Sequence, residues 1–156
     1  MNPDAPRHEQ LKALQEALSA LVVYDKSGDR AHEAVGALLD GRAVCDGYAK
    51  SFKILCDAMG IPCVIVAGTA TQQDSVEPHA WNYVQMEDGA YYAIDVTWND
   101  DGEIASTDFF LVGADTVPAP GRKPFSFSHT PDGKFSLGDY PPFLFPTLSQ
   151  QAYPIP

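Results

Sequence analysis

Apolar side chains recur every three or four positions near the start of the chain, the spacing of one face of an α-helix. The pattern predicts an amphipathic helix over residues 8–23, with Lys12, Gln15 and Glu16 on its outer face. Its apolar positions are Leu11, Leu14, Leu18, Leu21 and Val22. We interpret this helix as structural.

A shorter helical pattern follows a turn-like segment. It runs through Ala34, Val35, Leu38 and Leu39, and it ends at Gly41, a residue suited to the left-handed conformation that often follows a helix. This pattern predicts a second helix.

A third helical pattern covers residues 46–59, and Gly60 with Pro62 stops it. One face of this helix collects apolar residues, namely Ala49, Phe52, Cys56 and Met59. The pattern places Cys45 at the N-terminal end of the helix.

The middle of the chain changes to β-rich runs bounded by turn residues. The run "IPCVIVAGTA" predicts a strand buried on both faces, and "TDFFLVG" predicts a shorter strand. Between them, "HAWNYVQM" and "YYAIDVTW" predict two strands joined by a tight turn at "EDG". These two strands form a predicted hairpin.

The register of this hairpin decides whether His79 and Asp95 can meet, because side chains along a strand alternate between its two faces. A two-residue "DG" loop would turn Asp95 away from His79. A three-residue "EDG" loop, with Gly89 left-handed, would pair Met86 with Ala90 and make the two side chains diagonal neighbours on one face. We predict the three-residue loop.

With that register, the two faces of the hairpin differ in character. One face carries His79, Trp81, Tyr83 and Asp95. The other carries Ala80, Val84, Met86, Ile94 and Val96, which suits a core surface. Asn82 falls on the core face, where we expect it to make a structural hydrogen bond to the backbone.

The chain becomes rich in Pro, Gly and aromatic residues after Gly113. We expect residues 114–156 to form an irregular C-terminal extension of extended segments and turns packed on the core. Residues 1–156 are therefore predicted to form a single domain. Its predicted class is α+β, with N-terminal helices, one of which carries Cys45 at its N-terminus, packed on a mainly antiparallel sheet.

Composition limits the partners. The 156-residue chain has a formal net charge of −11, which argues against nucleic acid and anionic membranes because both reward clustered Lys and Arg. No apolar run approaches the roughly 18 residues of a membrane span, so no membrane insertion is expected. The sequence gives no indication of the oligomeric state.

The start of the chain and its cysteines bear on the compartment. The start "MNPDAPRHEQ" lacks the charged and apolar regions of a signal peptide, so we expect a cytoplasmic location, with an extracellular one open if the sequence is part of a longer chain. The three cysteines are an odd number for a disulfide framework, so at least one thiol is expected to be free.

Cys45, His79 and Asp95 are the candidate catalytic residues. A thiol attacks carbonyl carbon as the thiolate, a form favoured at a helix N-terminus and beside a protonated imidazole. A carboxylate on the next strand would fix the tautomer of His79 and stabilise its imidazolium form. The free N–H groups at the start of the helix could stabilise an oxyanion.

These residues also carry a family resemblance. In order, the segments "AVCDGYAKSF", "GIPCVIVAGTA", "HAWNYV" and "YYAIDVTWND" resemble the transglutaminase-like superfamily of papain-type cysteine enzymes, in particular its bacterial members of unassigned substrate. The resemblance runs from about residues 22–25 to residues 109–113. Each motif alone is weak, but the ordered combination is specific.

The resemblance implies a core of helices followed by an antiparallel sheet. It also implies acyl transfer from an amide through a thioester, with Cys45 as nucleophile, His79 as general base and acid, and Asp95 as orienting carboxylate. A protein or peptide substrate and no organic cofactor are expected. We predict hydrolysis over cross-linking, with a transglutaminase or a silent binding module as alternatives.

The sequence departs from better-known relatives of this kind. It has no additional paired-cysteine zinc site such as peptide N-glycanases carry, and it is shorter than the multidomain, calcium-regulated animal transglutaminases. It also lacks the extra domains of arylamine acetyltransferases. None of those activities is therefore carried over.

Several other side chains have a structural interpretation beside a functional one. Trp81 and Tyr48 are candidates for substrate binding, although packing is an ordinary role for both. We interpret Cys56 and Cys63 as packing residues. His129 lies in the tail, where an exposed or capping role is expected over cleft lining.

A metal site built from the cysteines and His79 is disfavoured. The three cysteines form no CxxC pair, the spacing typical of zinc knuckles. No metal ligands are therefore predicted.

Overall fold

The computed structural model describes residues 2–25, 33, 42–100, 105–132, 134–135 and 143–156. Within that part of the chain the helices are α1 (Arg7–Leu21), α2 (Cys45–Ala58) and two single turns, α3 (Val96–Asn99) and α4 (Phe125–Ser128). The strands are β1 (Val23–Tyr24), β2 (Arg42–Ala43), β3 (Cys63–Gln72), β4 (Ser75–Gln85), β5 (Tyr91–Ile94), β6 (Phe110–Val112), β7 (His129–Pro131), β8 (Lys134–Phe135) and β9 (Phe143–Leu144). The predicted α+β class is confirmed.

The first and third predicted helices correspond to α1 and α2, and the helix predicted through Ala34 to Leu39 and ending at Gly41 lies outside the described residues. None of the helices in the described ranges combines the length and apolar character needed to cross a bilayer.

Five strands form the main sheet, in the order β6-β5-β4-β3-β7, and every neighbouring pair is antiparallel. The predicted hairpin register is confirmed. The Met86 N–H donates to the Ala90 carbonyl at 3.0 Å, and Gly89 closes the three-residue loop with a φ of 81°. The left-handed conformation required at this position suits glycine.

The second strand of the hairpin is shorter than predicted. The prediction of a strand through Trp98 is wrong beyond Ile94, because residues 96–99 form the α3 turn. Asp95 is the N-cap of that turn, and its Oδ1 accepts the Trp98 N–H at 3.0 Å. Asp is among the residues that most favour an N-cap, so the side chain that ends the strand also starts the helical turn.

Helices α1 and α2 cover one face of the sheet. Leucines of α1 (Leu11, Leu14 and Leu18) and residues of α2 (Tyr48, Phe52 and Cys56) pack against a group that includes Val84, Met86, Ile94 and Val96. Leu21, predicted on the apolar face of the first helix, is instead exposed. Gln15, predicted to face outward, is instead fully buried. Its Nε2 donates to the Ser106 carbonyl at 3.1 Å, and its Oε1 accepts from Asn99 Nδ2 at 2.7 Å. These bonds satisfy its polar groups and connect α1 with α3.

The opposite face carries a second, smaller core in which the C-terminal segment takes part. Trp81, Tyr83 and Phe109 pack there with Phe125 of α4. Strand β7 adds to the sheet beside β3, where a Cβ on Gly68 would lie 2.1 Å from the Thr130 carbonyl oxygen. The absence of a side chain at Gly68 allows this close approach. The C-terminal segment therefore places residues next to those of the hairpin.

Candidate active site

Cys45 is the first residue of α2 and lines an open cleft together with His79. The preceding residue, Val44, is extended, so the helix starts directly at the cysteine. The thiol donates to Asp46 Oδ1 at 3.3 Å. Helix α2 thus points its N-terminal end, where unpaired N–H groups of a helix collect, at the cleft.

Asn82 ties the helix that carries Cys45 to the strand that carries His79. Its Nδ2 donates to the Ala49 carbonyl of α2 at 3.0 Å. This confirms the structural role predicted for Asn82. Ala49 lies one turn after Cys45, and Asn82 lies three residues after His79, so this bond joins the two segments that carry the candidate residues.

His79 and Asp95 meet as the hairpin register predicts. His79 Nε2 lies 2.7 Å from Asp95 Oδ2, and Asp95 is fully buried. Nδ1 is the other ring nitrogen of His79, and the Cys45 side chain is close enough to the ring to raise its pKa. The three candidates thus lie together in the order carboxylate, imidazole and thiol, with His79 and Cys45 at the cleft.

Charge favours the imidazolium form of His79. Burial disfavours that form, but the Asp95 carboxylate, its hydrogen bond and the neighbouring Cys45 outweigh burial and raise the pKa of His79 to about 10. Burial likewise disfavours ionised Asp95, yet His79 and a second histidine, His129, hold the pKa of this carboxyl well below its usual range. Asp95 therefore stays ionised.

His129 is a site residue that the sequence did not reveal, and the expectation of an exposed or capping role for it is wrong. The side chain is buried, with 2% of the residue exposed. Its Nε2 lies 2.7 Å from the same Asp95 Oδ2 that His79 contacts. The signal in the sequence was weak. The phenylalanines of "FSFSH" indicate a buried segment, but they do not indicate that His129 binds Asp95, 34 positions away.

Trp81 and Tyr48 are buried, and neither lines the cleft. The Trp81 ring stacks on His79 with centroids 5.9 Å apart, so it supports the imidazole from the sheet side. The Tyr48 hydroxyl donates to Asp100 Oδ2 at 2.5 Å. Their predicted contact with substrate would require these rings to become exposed.

Tyr24 lines the cleft near Cys45, a placement that the sequence did not predict. Its ring stacks on Tyr48, with centroids 6.4 Å apart. Burial, followed by the neighbouring Cys45, Glu77 and Asp46, raises the pKa of Tyr24, so the phenol keeps its proton. Tyr24 is therefore a hydrogen-bond donor at the cleft.

The cleft has a volume of about 730 Å³ and a mixed lining. Glu77, Asp100 and Arg122 give it charges of both signs, and Trp98 and Phe109 give it aromatic surface.

The described residues also hold one cluster of potential metal ligands and one pair of neighbouring thiols. The ligand atoms of His79, Asp95 and His129 lie within 4.8 Å of one another, but a metal ion there would have to displace the protons that both imidazoles direct at one oxygen. Cys56 and Cys63 are buried in the core and unreacted. A hydrogen bond with Cys63 and burial raise the pKa of the Cys56 thiol, in agreement with the packing role.

Comparison with family models identifies a family for this chain. A family model described as the transglutaminase-like superfamily matches residues 1–96. The mouse (Mus musculus) kyphoscoliosis peptidase is 37% identical over 62 residues, which are 35% of this chain and 9% of that protein. The chain thus spans less than a tenth of the length of this curated relative.

Solved structures share the fold. A crystal structure of a TGase superposes with a TM-score of 0.52 and 18% identity, over 60% of this chain and 27% of the other. A "Putative Cysteine Protease" from Cytophaga hutchinsonii gives a TM-score of 0.51 and 20% identity, over 61% of this chain and 34% of the other. At such identities the comparison speaks for the fold.

Proposed function

This chain belongs to the transglutaminase-like superfamily, and from that premise we propose that it is a cysteine-dependent acyl-transfer enzyme acting on amide bonds of proteins or peptides. Cys45 is the nucleophile, His79 the general base and acid, and Asp95 the orienting carboxylate. The observation that carries the proposal is the hydrogen bond between buried Asp95 and His79, with Cys45 beside the imidazole at the wall of an open cleft.

In the first half of the reaction Cys45 Sγ attacks the amide carbonyl carbon, and His79 holds the thiol proton. The carbonyl oxygen becomes an oxyanion. Its collapse breaks the carbon–nitrogen bond, and the His79 imidazolium gives its proton to the leaving amine. The products are a thioester on Cys45, a free amine and neutral His79.

In the second half a water molecule attacks the thioester while His79 takes a proton from it. The carbon–sulfur bond breaks and releases a carboxylic acid. The thiolate of Cys45 and the imidazolium of His79 are regenerated together. Throughout, Asp95 keeps the Nε2–H tautomer of His79, which leaves Nδ1 for the proton transfers.

The oxyanion would be stabilised by two kinds of donor at the same wall of the cleft. The first are the N–H groups at the start of α2, which concentrate the positive end of the helix dipole. The second is the protonated phenol of Tyr24. The side-chain donor adds to the backbone donors that the sequence indicated.

Hydrolysis is proposed as the outcome, because water reaches an open cleft without a dedicated site. A cross-linking transglutaminase would use the same first half and transfer the acyl group to an amine. A silent binding module would keep the fold without turnover. The three differ in measurable products, namely a carboxylic acid, a new amide, or none.

The test has two stages. The rate of Cys45 alkylation by iodoacetamide is measured against pH, with peptide mapping to separate Cys45 from Cys56 and Cys63, in wild type and His79→Ala. Alkylation that persists below about pH 7, where an isolated thiol is mostly protonated, and that is lost in the variant supports the pair. A slow, thiol-like profile in both proteins contradicts it.

The second stage looks for turnover in a peptide pool that contains glutamine residues. Mass spectrometry distinguishes cleavage, glutamine deamidation and incorporation of an added primary amine, with Cys45→Ala as the matched control. Cys45-dependent cleavage or deamidation supports hydrolysis, and amine incorporation that exceeds both supports the transglutaminase. Thiol reactivity without any product supports the binding module.

The proposal also extends to the compartment and the domain organisation. A reducing compartment such as the cytoplasm would keep the Cys45 thiol available for the proposed reaction. Residues 1–156 are proposed to act as one domain, because β7 and Phe125 of the C-terminal extension pack on the sheet that carries the site. Cell fractionation and limited proteolysis test the two statements.

A further inference from the structure

His129 occupies an unusual place behind the proposed triad. Its Nε2 and the Nε2 of His79 lie at the same distance, 2.7 Å, from one oxygen, Asp95 Oδ2. His129 lies beyond residues 1–96, to which the family model extends. The second imidazole is therefore a feature of this chain's own C-terminal segment.

The hydrogen bonds fix the protons of this cluster. An ionised carboxylate only accepts, so both imidazoles must direct an Nε2–H at Asp95. The other nitrogen of His129, Nδ1, lies 2.8 Å from Ser128 Oγ. Burial, together with the positive charge of His79, lowers the pKa of His129, which favours the neutral ring. Its unprotonated Nδ1 then accepts the Ser128 hydroxyl proton at 2.8 Å, in place of the Phe125 carbonyl at 3.2 Å.

Packing leaves His129 little freedom to leave this position. Its ring stacks on Phe125 with centroids 4.2 Å apart at 18°. The rings of Trp81 and Trp98 meet it edge to face at 4.9 Å and 4.6 Å. The pairing of β7 with β3, which requires Gly68, holds its backbone.

We propose that His129 is a positioning residue for the Cys45–His79–Asp95 triad. His129 holds Asp95 in place and weakens the attraction of the Asp95 carboxylate for the proton of His79. This inference rests on the proposed function. A neutral N–H donor spreads the negative charge of Asp95 Oδ2 over two acceptor bonds, so His79 receives a smaller share of it. His79 then releases its proton to the leaving amine more readily than it would with Asp95 to itself.

The groups that act on His79 come from every element around it. Asp95 faces it from the start of α3, Cys45 from the start of α2, and His129 from β7. The Ser128 hydroxyl acts on His129. The aromatic rings that surround the two imidazoles carry no charge. Loss of the His129 donor therefore acts through Asp95, whose Oδ1 stays bonded to the Trp98 N–H.

The test compares His129→Phe, which keeps an aromatic ring without a donor, with His129→Gln, whose amide restores an N–H near the position of Nε2. Thr130→Val, at an exposed neighbouring position of β7, is the control for the strand. In ¹⁵N-histidine spectra at pH 10, close to the His79 pKa of about 10, wild-type His79 should be about half protonated. About tenfold tighter proton binding in His129→Phe would make it about nine-tenths protonated. His129→Gln and Thr130→Val should resemble wild type.

The same spectra report the tautomer of His129. The Nε2–H form with Nδ1 unprotonated is expected at neutral pH. An Nδ1–H tautomer, or a folded His129→Phe whose His79 titrates as in wild type, overturns the proposal. If His129→Phe does not fold, His129→Leu decides, because it also removes the Nε2–H donor to Asp95 and should tighten proton binding at His79 in the same way. A His79 titration equal to that of wild type in folded His129→Leu overturns the proposal.

Alkylation of wild type and His79→Ala keeps the two proposals distinguishable. If Cys45 reactivity does not depend on His79, the proposed function fails, and the role of His129 towards that triad fails with it. If Cys45 reactivity depends on His79 but the pKa of His79 is the same with and without His129, only the role proposed for His129 fails.

Discussion

Asp95→Asn is the sharpest perturbation of the site, because it removes one charge and keeps the shape. The amide oxygen can still accept the Trp98 N–H that Asp95 Oδ1 accepts at 3.0 Å, so the cap of α3 is retained. The amide nitrogen then replaces Oδ2 and offers an N–H to each imidazole. Both rings must now accept at Nε2 and carry their proton on Nδ1.

The two histidines tolerate this change differently. His129 Nδ1–H can donate to Ser128 Oγ, whose own proton can go to the Phe125 carbonyl at 3.2 Å. His79 Nδ1–H instead faces Cys45, where a base is required. The variant should therefore fold but hold His79 in the tautomer that cannot accept the thiol proton, as an Asp-to-Asn change does in other triads.

The magnitude follows from the charge state of His79. With a pKa of about 10, this imidazole is almost wholly protonated at pH 7. Without the carboxylate, burial remains as the dominant influence, and the pKa of His79 should fall to the ordinary value of 6.5 or below. An unassisted thiol is only a few per cent thiolate at pH 7, so Cys45 alkylation should slow roughly 10- to 30-fold.

The assay is the initial rate of Cys45 alkylation from pH 5 to 9, followed by peptide mapping. Asp100→Asn is the matched control, because it removes a carboxylate from the same cleft, one bonded to Tyr48 instead of His79. It should leave the low-pH rate within about twofold of wild type, as expected for a screened charge. Wild-type reactivity in folded Asp95→Asn would refute the reasoning.

Three further predictions address other parts of the structure. Gly68→Ala should push the Thr130 backbone away, because the added Cβ would lie 2.1 Å from its carbonyl oxygen. Calorimetry should show a lower melting temperature, and peptide mapping should show slower alkylation of Cys45. A melting temperature equal to that of wild type would contradict the close approach. Tyr24→Phe should lower turnover by roughly 10-fold while leaving alkylation unchanged, as expected for loss of an oxyanion donor; an equal loss in both assays would point to a damaged site. Folding raises the pKa of His79, so protonated His79 stabilises the folded protein. The free energy of unfolding of wild type, measured relative to that of His79→Phe, should therefore be greatest below pH 6.5 and should fall by at most about 3 kcal/mol up to pH 9. Urea titrations that show no such decline would contradict the ion pair.

The sequence was a good guide where local rules decide the outcome. The two-residue alternation of a strand and the left-handed preference of Gly89 together fix the hairpin register, and that register places His79 and Asp95 on one face of the hairpin. Helical spacing with a clear stop likewise placed Cys45 at the start of α2. Both inferences depend on residues within one element or one turn.

The sequence failed where a polar side chain finds its partner across the fold. Gln15 has the spacing of an outward residue, yet it is buried because Ser106 and Asn99 satisfy its amide from far along the chain. His129 lies in an irregular segment, and its burial depends on the pairing of β7 with β3. Neither partner is visible in the local pattern.

Asp95 connects these two cases, because its side chain caps a helical turn in its own segment and also binds His129, which is distant in the sequence. As an N-cap it ends β5, so Oδ1 is committed to the Trp98 N–H and the carboxylate plane is fixed. That orientation leaves Oδ2 to accept from His79 and His129 together. Had β5 continued as predicted, the Trp98 N–H would not hold the carboxylate. The departure from regular strand structure is thus what makes Asp95 a rigid acceptor for both imidazoles.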